Sequence, residues 1–146
     1  MHPPAEIAGV LDRWAAEPVV ELERLAAAVT FNVVIGNADA HGKNLSLRHT
    51  APGVVSLAPL YDTVPTVMWP RLPDRAAMRI NAKAALSAVT LDDIAAEAAR
   101  WPLTEGRARE IAADTTKNLL DALDSQDVPE RLGEIIRDRA QSLLNP

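Results

Sequence analysis

Apolar residues recur at three- and four-residue steps along much of this chain, which is the spacing of helices with one buried face. A first such stretch covers residues 5–16 and follows two prolines, which suit the opening turn of a helix. The longest stretch covers residues 19–35. Gly36 follows it, and glycine tolerates the left-handed backbone that ends many helices. The pattern predicts two helices, the second ending at Gly36.

Shorter apolar runs, separated by turn residues, occupy the middle of the chain. Residues 45–48 and 54–57 are predicted to form two strands around the turn Ala51-Pro52-Gly53. Residues 76–80 are predicted to form another short strand. Residues 63–74 contain three prolines, so an irregular segment is expected there.

Helical spacing returns in the last third of the chain. The run Thr90-Leu91-Asp92-Asp93 is typical of a capped helix start, and this helix is predicted to end near residue 100. Two more helices are predicted over residues 107–123 and 129–144, with Asp127 as a candidate cap for the last. No repeat or low-complexity linker divides the chain. We therefore predict one domain over residues 1–146, mainly α-helical with a small β-hairpin.

Composition excludes several classes of protein. Aromatic residues are only 3% of the chain, so the core must be mainly aliphatic, with Trp14, Trp69 and Trp101 expected to pack. A net charge of −5 gives no general attraction to nucleic acid or to anionic membranes. The absence of cysteine excludes disulfides and thiolate metal sites. No run resembles a membrane span or a signal peptide, so we expect a cytoplasmic protein.

The polar loop Asn37-Ala38-Asp39-Ala40-His41-Gly42-Lys43-Asn44 contains the candidate chemistry. Asp39 and Asn44 are five residues apart, and Asp62 follows the predicted hairpin. Phosphoryl transfer needs a carboxylate for the attacking hydroxyl and oxygen ligands for a magnesium ion. Asp39 is therefore a candidate catalytic base, and Asn44 and Asp62 are candidate metal ligands. Each residue type also occurs in ordinary turns and caps, so the set matters more than any single member.

Two blocks of sequence resemble one known family. Residues 31–47, which include this loop, resemble the catalytic-loop block of HipA-like serine/threonine kinases. The run Leu57-Ala58-Pro59-Leu60-Tyr61-Asp62-Thr63-Val64-Pro65 resembles that family's metal-binding block. The resemblance is strongest over residues 19–93. The resemblance implies the C-terminal lobe of a serine/threonine protein kinase that is the toxin of a toxin–antitoxin system. Such a kinase would use Mg²⁺ and ATP, act on a protein substrate and bind a HipB-like antitoxin.

Three neighbouring residues have less definite roles. The resemblance places His41, Lys43 and Tyr61 beside the site, where they would bind ATP or support the loop. For His41 a structural role is favoured, and for Lys43 a phosphate contact and simple solvation are equally weighted. The same Asp39-to-Asn44 spacing also occurs in phosphoinositide-type lipid kinases, but the Tyr61-Asp62 pair favours the HipA-like interpretation.

A nucleotide-covering lobe is not evident in this sequence. Its six glycines are too dispersed for a Gly-rich loop, and the first lysine is Lys43. The 38 residues before Asp39 have the pattern of helices. We therefore expect the N-terminal lobe to be missing from this chain, and it would be supplied by a longer protein or by a separate chain. The alternative is an inactive remnant that binds an antitoxin or another partner.

Overall fold

The computed structural model describes residues 3–145, with only the backbone of Pro3 among them. The sequence predicts that His2, in the N-terminal tail, is exposed, and this residue lies outside the described part of the chain. This part of the chain forms five α-helices, four strands and three short 3-10 helices, Gly42–Asn44, Thr66–Met68 and Leu86–Ala88. The helices are α1 (Pro3–Trp14), α2 (Pro18–Ile35), α3 (Leu91–Ala98), α4 (Glu105–Ser125) and α5 (Glu130–Leu144). The strands are β1 (Leu47–Ala51), β2 (Val54–Leu57), β3 (Arg75–Ile80) and β4 (Lys83–Ala85). The predicted mainly helical fold is confirmed.

Helix α2 is the centre of the core, because α1, α4 and α5 all pack against it. Its side chains Leu22, Leu25 and Val34 are completely buried. Burial of each such side chain contributes roughly 1.5–3 kcal/mol. The helix ends as predicted at Gly36, which has the left-handed φ of 73°. The chain therefore leaves the core at a defined point and enters the polar loop.

The first hairpin pairs β1 with β2, and Leu47 lies opposite Leu57. Strand β1 extends to Ala51, so the turn is only Pro52-Gly53, shorter than predicted. This hairpin connects the end of the polar loop to the segment that carries Asp62. The two candidate metal ligands are consequently brought to the same end of the hairpin.

A second hairpin, of β3 and β4, was not predicted. Strand β3 alternates strictly between exposed and buried residues, as a half-buried strand should. The turn between β3 and β4 is formed by Asn81 and Ala82, both with positive φ. Turns of this kind usually contain glycine, and an Asn-Ala pair is not a recognisable signal. The prediction of one hairpin is therefore corrected to two.

The start of α3 forms the predicted capping box. The N–H of Asp93 donates to the Thr90 hydroxyl, and the N–H of Thr90 donates to the Asp93 carboxylate. Burial would raise the pKa of Asp93, but hydrogen bonds from Lys83, Asn81 and Thr90 outweigh it and lower the pKa to about 2. This carboxylate therefore stays ionised and holds α3 against the second hairpin.

Some predicted details were wrong. Trp101 is buried, but Trp14 and Trp69 are 57% and 51% exposed, because one ends α1 and the other lies in the proline-rich segment. Helix α5 begins after Pro129 without a side-chain cap, so Asp127 does not have the predicted role. None of the described helices is long and apolar enough to cross a bilayer.

Candidate active site

The loop that carries Asp39 is tied to the end of α2 by two asparagines. The Asn37 side chain donates to the Asn32 side-chain oxygen at 2.8 Å, and the Asn37 backbone N–H donates to the Asn32 carbonyl at 2.9 Å. The Asp39 N–H donates to the Asn37 side-chain oxygen at 3.2 Å. The backbone at Asp39 is thereby held to the rigid helix, while its side chain is exposed and has no hydrogen bond among residues 3–145.

Thr66 joins the catalytic loop to the segment after Asp62, a role that the sequence did not reveal. The buried Thr66 hydroxyl accepts from the Ala38 N–H at 2.8 Å and donates to the Gly36 carbonyl at 3.1 Å. The Gly36 carbonyl also accepts from the Val67 N–H at 3.2 Å. A lone threonine in a proline-rich stretch carries no sequence signal for this role. The connection fixes the position of Asp39 relative to the segment that follows Asp62, the candidate metal ligand.

Loss of the Thr66 hydroxyl should destabilise the protein. In Thr66→Val the Ala38 N–H would stay buried without an acceptor, which costs about 1–3 kcal/mol. Thr66→Ser keeps the hydroxyl and is the control, so it should lose much less stability. Urea unfolding of both variants gives the free energies of unfolding. Equal stability of the valine and serine variants would contradict the role of this hydroxyl.

Asn44 and Asp62 lie in direct contact. The Asn44 side-chain nitrogen donates to the Asp62 carboxylate at 2.5 Å, and its oxygen accepts from the His41 N–H at 3.3 Å. Asn44 is buried, whereas Asp62 is exposed. Asp62 also has a φ of 54°, a left-handed conformation that costs a non-glycine residue roughly 1–2 kcal/mol. A strained backbone that presents a carboxylate to a buried amide is typical of a functional site.

Tyr61 contacts the end of the polar loop through its hydroxyl. Its hydroxyl donates to the Lys43 carbonyl at 2.5 Å and lies 2.7 Å from the Ser46 hydroxyl. His41 Nδ1 is buried without a hydrogen-bond partner in the described part of the chain, next to a cavity that Asn44 and Tyr61 also line. The Lys43 side chain is exposed and makes no ion pair or hydrogen bond among residues 3–145. Tyr61 therefore has a structural contact, and Lys43 is available to a ligand.

The chemistry of Asn44 and Asp62 fits a magnesium ion. Asp62 offers carboxylate oxygens, and the Asn44 side-chain oxygen would join them once the amide turns over, since its nitrogen now faces Asp62 and its oxygen accepts from the His41 N–H. Mg²⁺ is commonly held by one or two carboxylates together with phosphate oxygens and water. In residues 3–145 no group of three histidine, aspartate or glutamate side chains could form a complete metal site. The pair is thus suited to a metal that arrives with a phosphorylated ligand. Thr116, a buried polar residue on α4, lies in the helical core and not at this site.

Comparison with known proteins identifies the family. The family model described as "HipA-like C-terminal domain" matches residues 4–123. The Sinorhizobium fredii (strain NBRC 101917 / NGR234) protein named "Putative kinase Y4mE" is 42% identical over 83 residues, covering 57% of this chain and 20% of that protein. A second protein of that strain, "Putative kinase Y4dM", is 30% identical over 89 residues, covering 61% and 22%. The chain thus spans about a fifth of these relatives.

A solved structure has the same fold. It is described as the toxin–antitoxin system HipA, HipB and operator DNA complex of Shewanella oneidensis MR-1, and the match has a TM-score of 0.76. The match covers 97% of this chain and 34% of the other, at 21% identity, a level at which it establishes the fold alone. The resemblance inferred from the two sequence blocks is confirmed, and the kinase-like C-terminal lobe with it. Since the family model matches most of the chain, this chain belongs to the family of HipA-like C-terminal domains.

Proposed function

We propose that this chain is the catalytic and metal-binding part of a HipA-like serine/threonine protein kinase, which transfers phosphoryl groups from Mg-ATP to a protein hydroxyl. The observation that carries the proposal is the 2.5 Å contact between Asn44 and Asp62, residues 18 positions apart, next to a loop that presents Asp39. Two relatives carry "Putative kinase" in their names, which agrees with this proposal.

Each residue has a separate part in the proposed reaction. Asp39 is free of side-chain hydrogen bonds among the described residues, so its carboxylate can accept or orient the proton of the attacking hydroxyl. Asn44 and Asp62 would hold Mg²⁺, which would supply positive charge to neutralise the transferring phosphoryl group. The exposed Lys43 side chain would contact a phosphate of the nucleotide. His41 and Tyr61 keep the loop in the required shape, through the Asn44 amide and the Lys43 carbonyl respectively.

The remaining parts of the kinase would come from outside residues 3–145. The described part of the chain has only two-stranded sheets and no Gly-rich phosphate loop. We therefore propose that an N-terminal lobe, in the same protein or in a separate chain, covers the nucleotide. A HipB-like antitoxin is the proposed partner, because the structural relative was solved with HipB.

Reconstitution tests this function. The missing lobe can be supplied from the 42% identical Sinorhizobium relative, either fused to this chain or added as a separate protein. We expect Mg²⁺-dependent transfer of the labelled γ-phosphoryl group of ATP to protein serine or threonine. If an assembled, folded complex transfers no phosphoryl group, the chain instead functions as a partner-binding domain without catalysis. Retention of a HipB-like protein by this chain on a column would support that second function.

A further inference from the structure

A groove opens directly beside Asp39 and is not lined by either candidate metal ligand. Its volume is about 340 Å³, and Asp39, Leu72, Pro73 and Arg75 are among its lining residues. Asn44 and Tyr61 line a different cavity. Asp39 therefore lines a groove that is separate from the cavity beside Asn44. In phosphoryl transfer the attacking hydroxyl and the leaving oxygen lie roughly in line across the phosphorus atom, so the acceptor and donor need separate approaches.

One wall of the groove is apolar and stiff. Leu72 is 51% exposed although it is a large apolar residue, and Pro73 restricts the backbone next to it. Thr66 anchors this segment to the catalytic loop through the Ala38 N–H. An exposed apolar wall on an anchored segment suits contact with an apolar side chain of a ligand. A polypeptide acceptor provides such a side chain close to its hydroxyl.

The other wall carries an uncommitted positive charge. Arg75 is exposed and forms no ion pair or side-chain hydrogen bond within residues 3–145. One oxygen of the neighbouring Asp74 carboxylate accepts from the Ser87 N–H and hydroxyl, and Asp74 forms no ion pair with Arg75 among the described residues. Asp39 is the acidic residue that lines the groove, and the proposed reaction uses it for the acceptor hydroxyl. Arg75 is thus left to interact with a charge on the ligand.

We propose that this groove binds the acceptor segment of the protein substrate and selects a serine or threonine flanked by an acidic and a large apolar residue. The hydroxyl lies at Asp39, the acidic side chain at Arg75 and the apolar side chain against Leu72 and Pro73. This inference rests on the proposed kinase function, since it assigns the acceptor side of the same site. It also predicts binding that can be measured without any phosphoryl transfer.

A positional-scanning array of serine-centred peptides tests the proposal. Labelled wild-type chain should be retained best by peptides with Asp or Glu at one flanking position and a large apolar residue at another. Arg75→Glu should lower the ratio of binding to peptides with an acidic flanking residue over binding to peptides with a basic one, by roughly threefold to tenfold. Arg79→Glu is the matched control, because Arg79 lies on the same exposed face of β3 and does not line the groove, and it should leave the ratio unchanged.

A second variant tests the apolar wall of the groove. Leu72→Glu should abolish the preference for a large apolar residue, whereas Val10→Glu, an exposed apolar position on α1, should not. An array without positional preference would overturn the proposal, as would an equal effect of the Arg75 and Arg79 variants. Because the readout is peptide binding, such a failure is distinct from failure of nucleotide binding or of phosphoryl transfer.

Discussion

Replacement of Asp39 by alanine should lower the kcat of the reconstituted kinase by about 10²–10⁴-fold, the usual contribution of a general base. The loop itself should survive, because its contacts to Asn37 and Thr66 run through backbone groups and other side chains. Steady-state kinetics with Mg-ATP and a protein acceptor measures the effect. The apparent affinity for Mg-ATP should change little, since Asp39 does not contact Asn44 or Asp62 through its side chain.

Two variants sharpen this prediction. Asp39→Asn keeps the size of the side chain and should be nearly as inactive, because an amide cannot accept the proton. Asp121→Ala removes an equally exposed carboxylate from α4, away from the site, and should retain full activity. An unchanged kcat in Asp39→Ala would mean that Asp39 is not the catalytic base, whatever else the chain does.

Gly36→Ala should reduce the free energy of unfolding by about 2–5 kcal/mol. One part, roughly 1–2 kcal/mol, comes from the left-handed φ of 73°, which disfavours any residue with a Cβ atom. Another, about 1–3 kcal/mol, comes from crowding, because the added Cβ would lie 2.3 Å from a Val67 side-chain carbon. Thermal or urea unfolding measures the loss.

Gly53→Ala separates the two contributions. Gly53 has a similar φ of 79°, but no atom lies within 4 Å of an added Cβ. This variant should therefore lose only the part that is due to the backbone. If the two alanine variants were destabilised equally, the close approach of Val67 to Gly36 would not be a real constraint on the site.

The sequence predicted the parts of this molecule that depend on local patterns. The apolar spacing of α2 and the left-handed preference of Gly36 defined where the helix ends and the polar loop begins. The residue types and spacing of Asp39, Asn44 and Asp62 indicate phosphoryl transfer, which stays a prediction until activity is measured. Placement of Asn44 against Asp62 followed from the hairpin between them, which was itself predicted from two short apolar runs.

Features that depend on tertiary contacts were missed. The Thr66 hydroxyl accepts a hydrogen bond from the Ala38 N–H, although the two residues are 28 positions apart in the sequence. No periodic pattern marks such a residue. Arg139 on α5 donates to the Val33 carbonyl near the end of α2, over a separation of 106 positions. Trp69 was expected to pack on the basis of residue type alone, but it lies in the proline-rich segment and is 51% exposed. These outcomes depend on which distant surfaces meet.

The central claim, that Asn44 and Asp62 form a metal site for a phosphorylated ligand, is tested most directly by titration calorimetry with ATP of this chain assembled with the N-terminal lobe of the Sinorhizobium relative. We expect millimolar ATP to bind in the presence of Mg²⁺ and not in its absence, and Asp62→Ala to weaken binding at least tenfold, or about 1.4 kcal/mol. Asp39→Ala should bind as the wild type does. Binding that is independent of Mg²⁺, binding that is unchanged in Asp62→Ala, or no binding by the wild type would contradict the account.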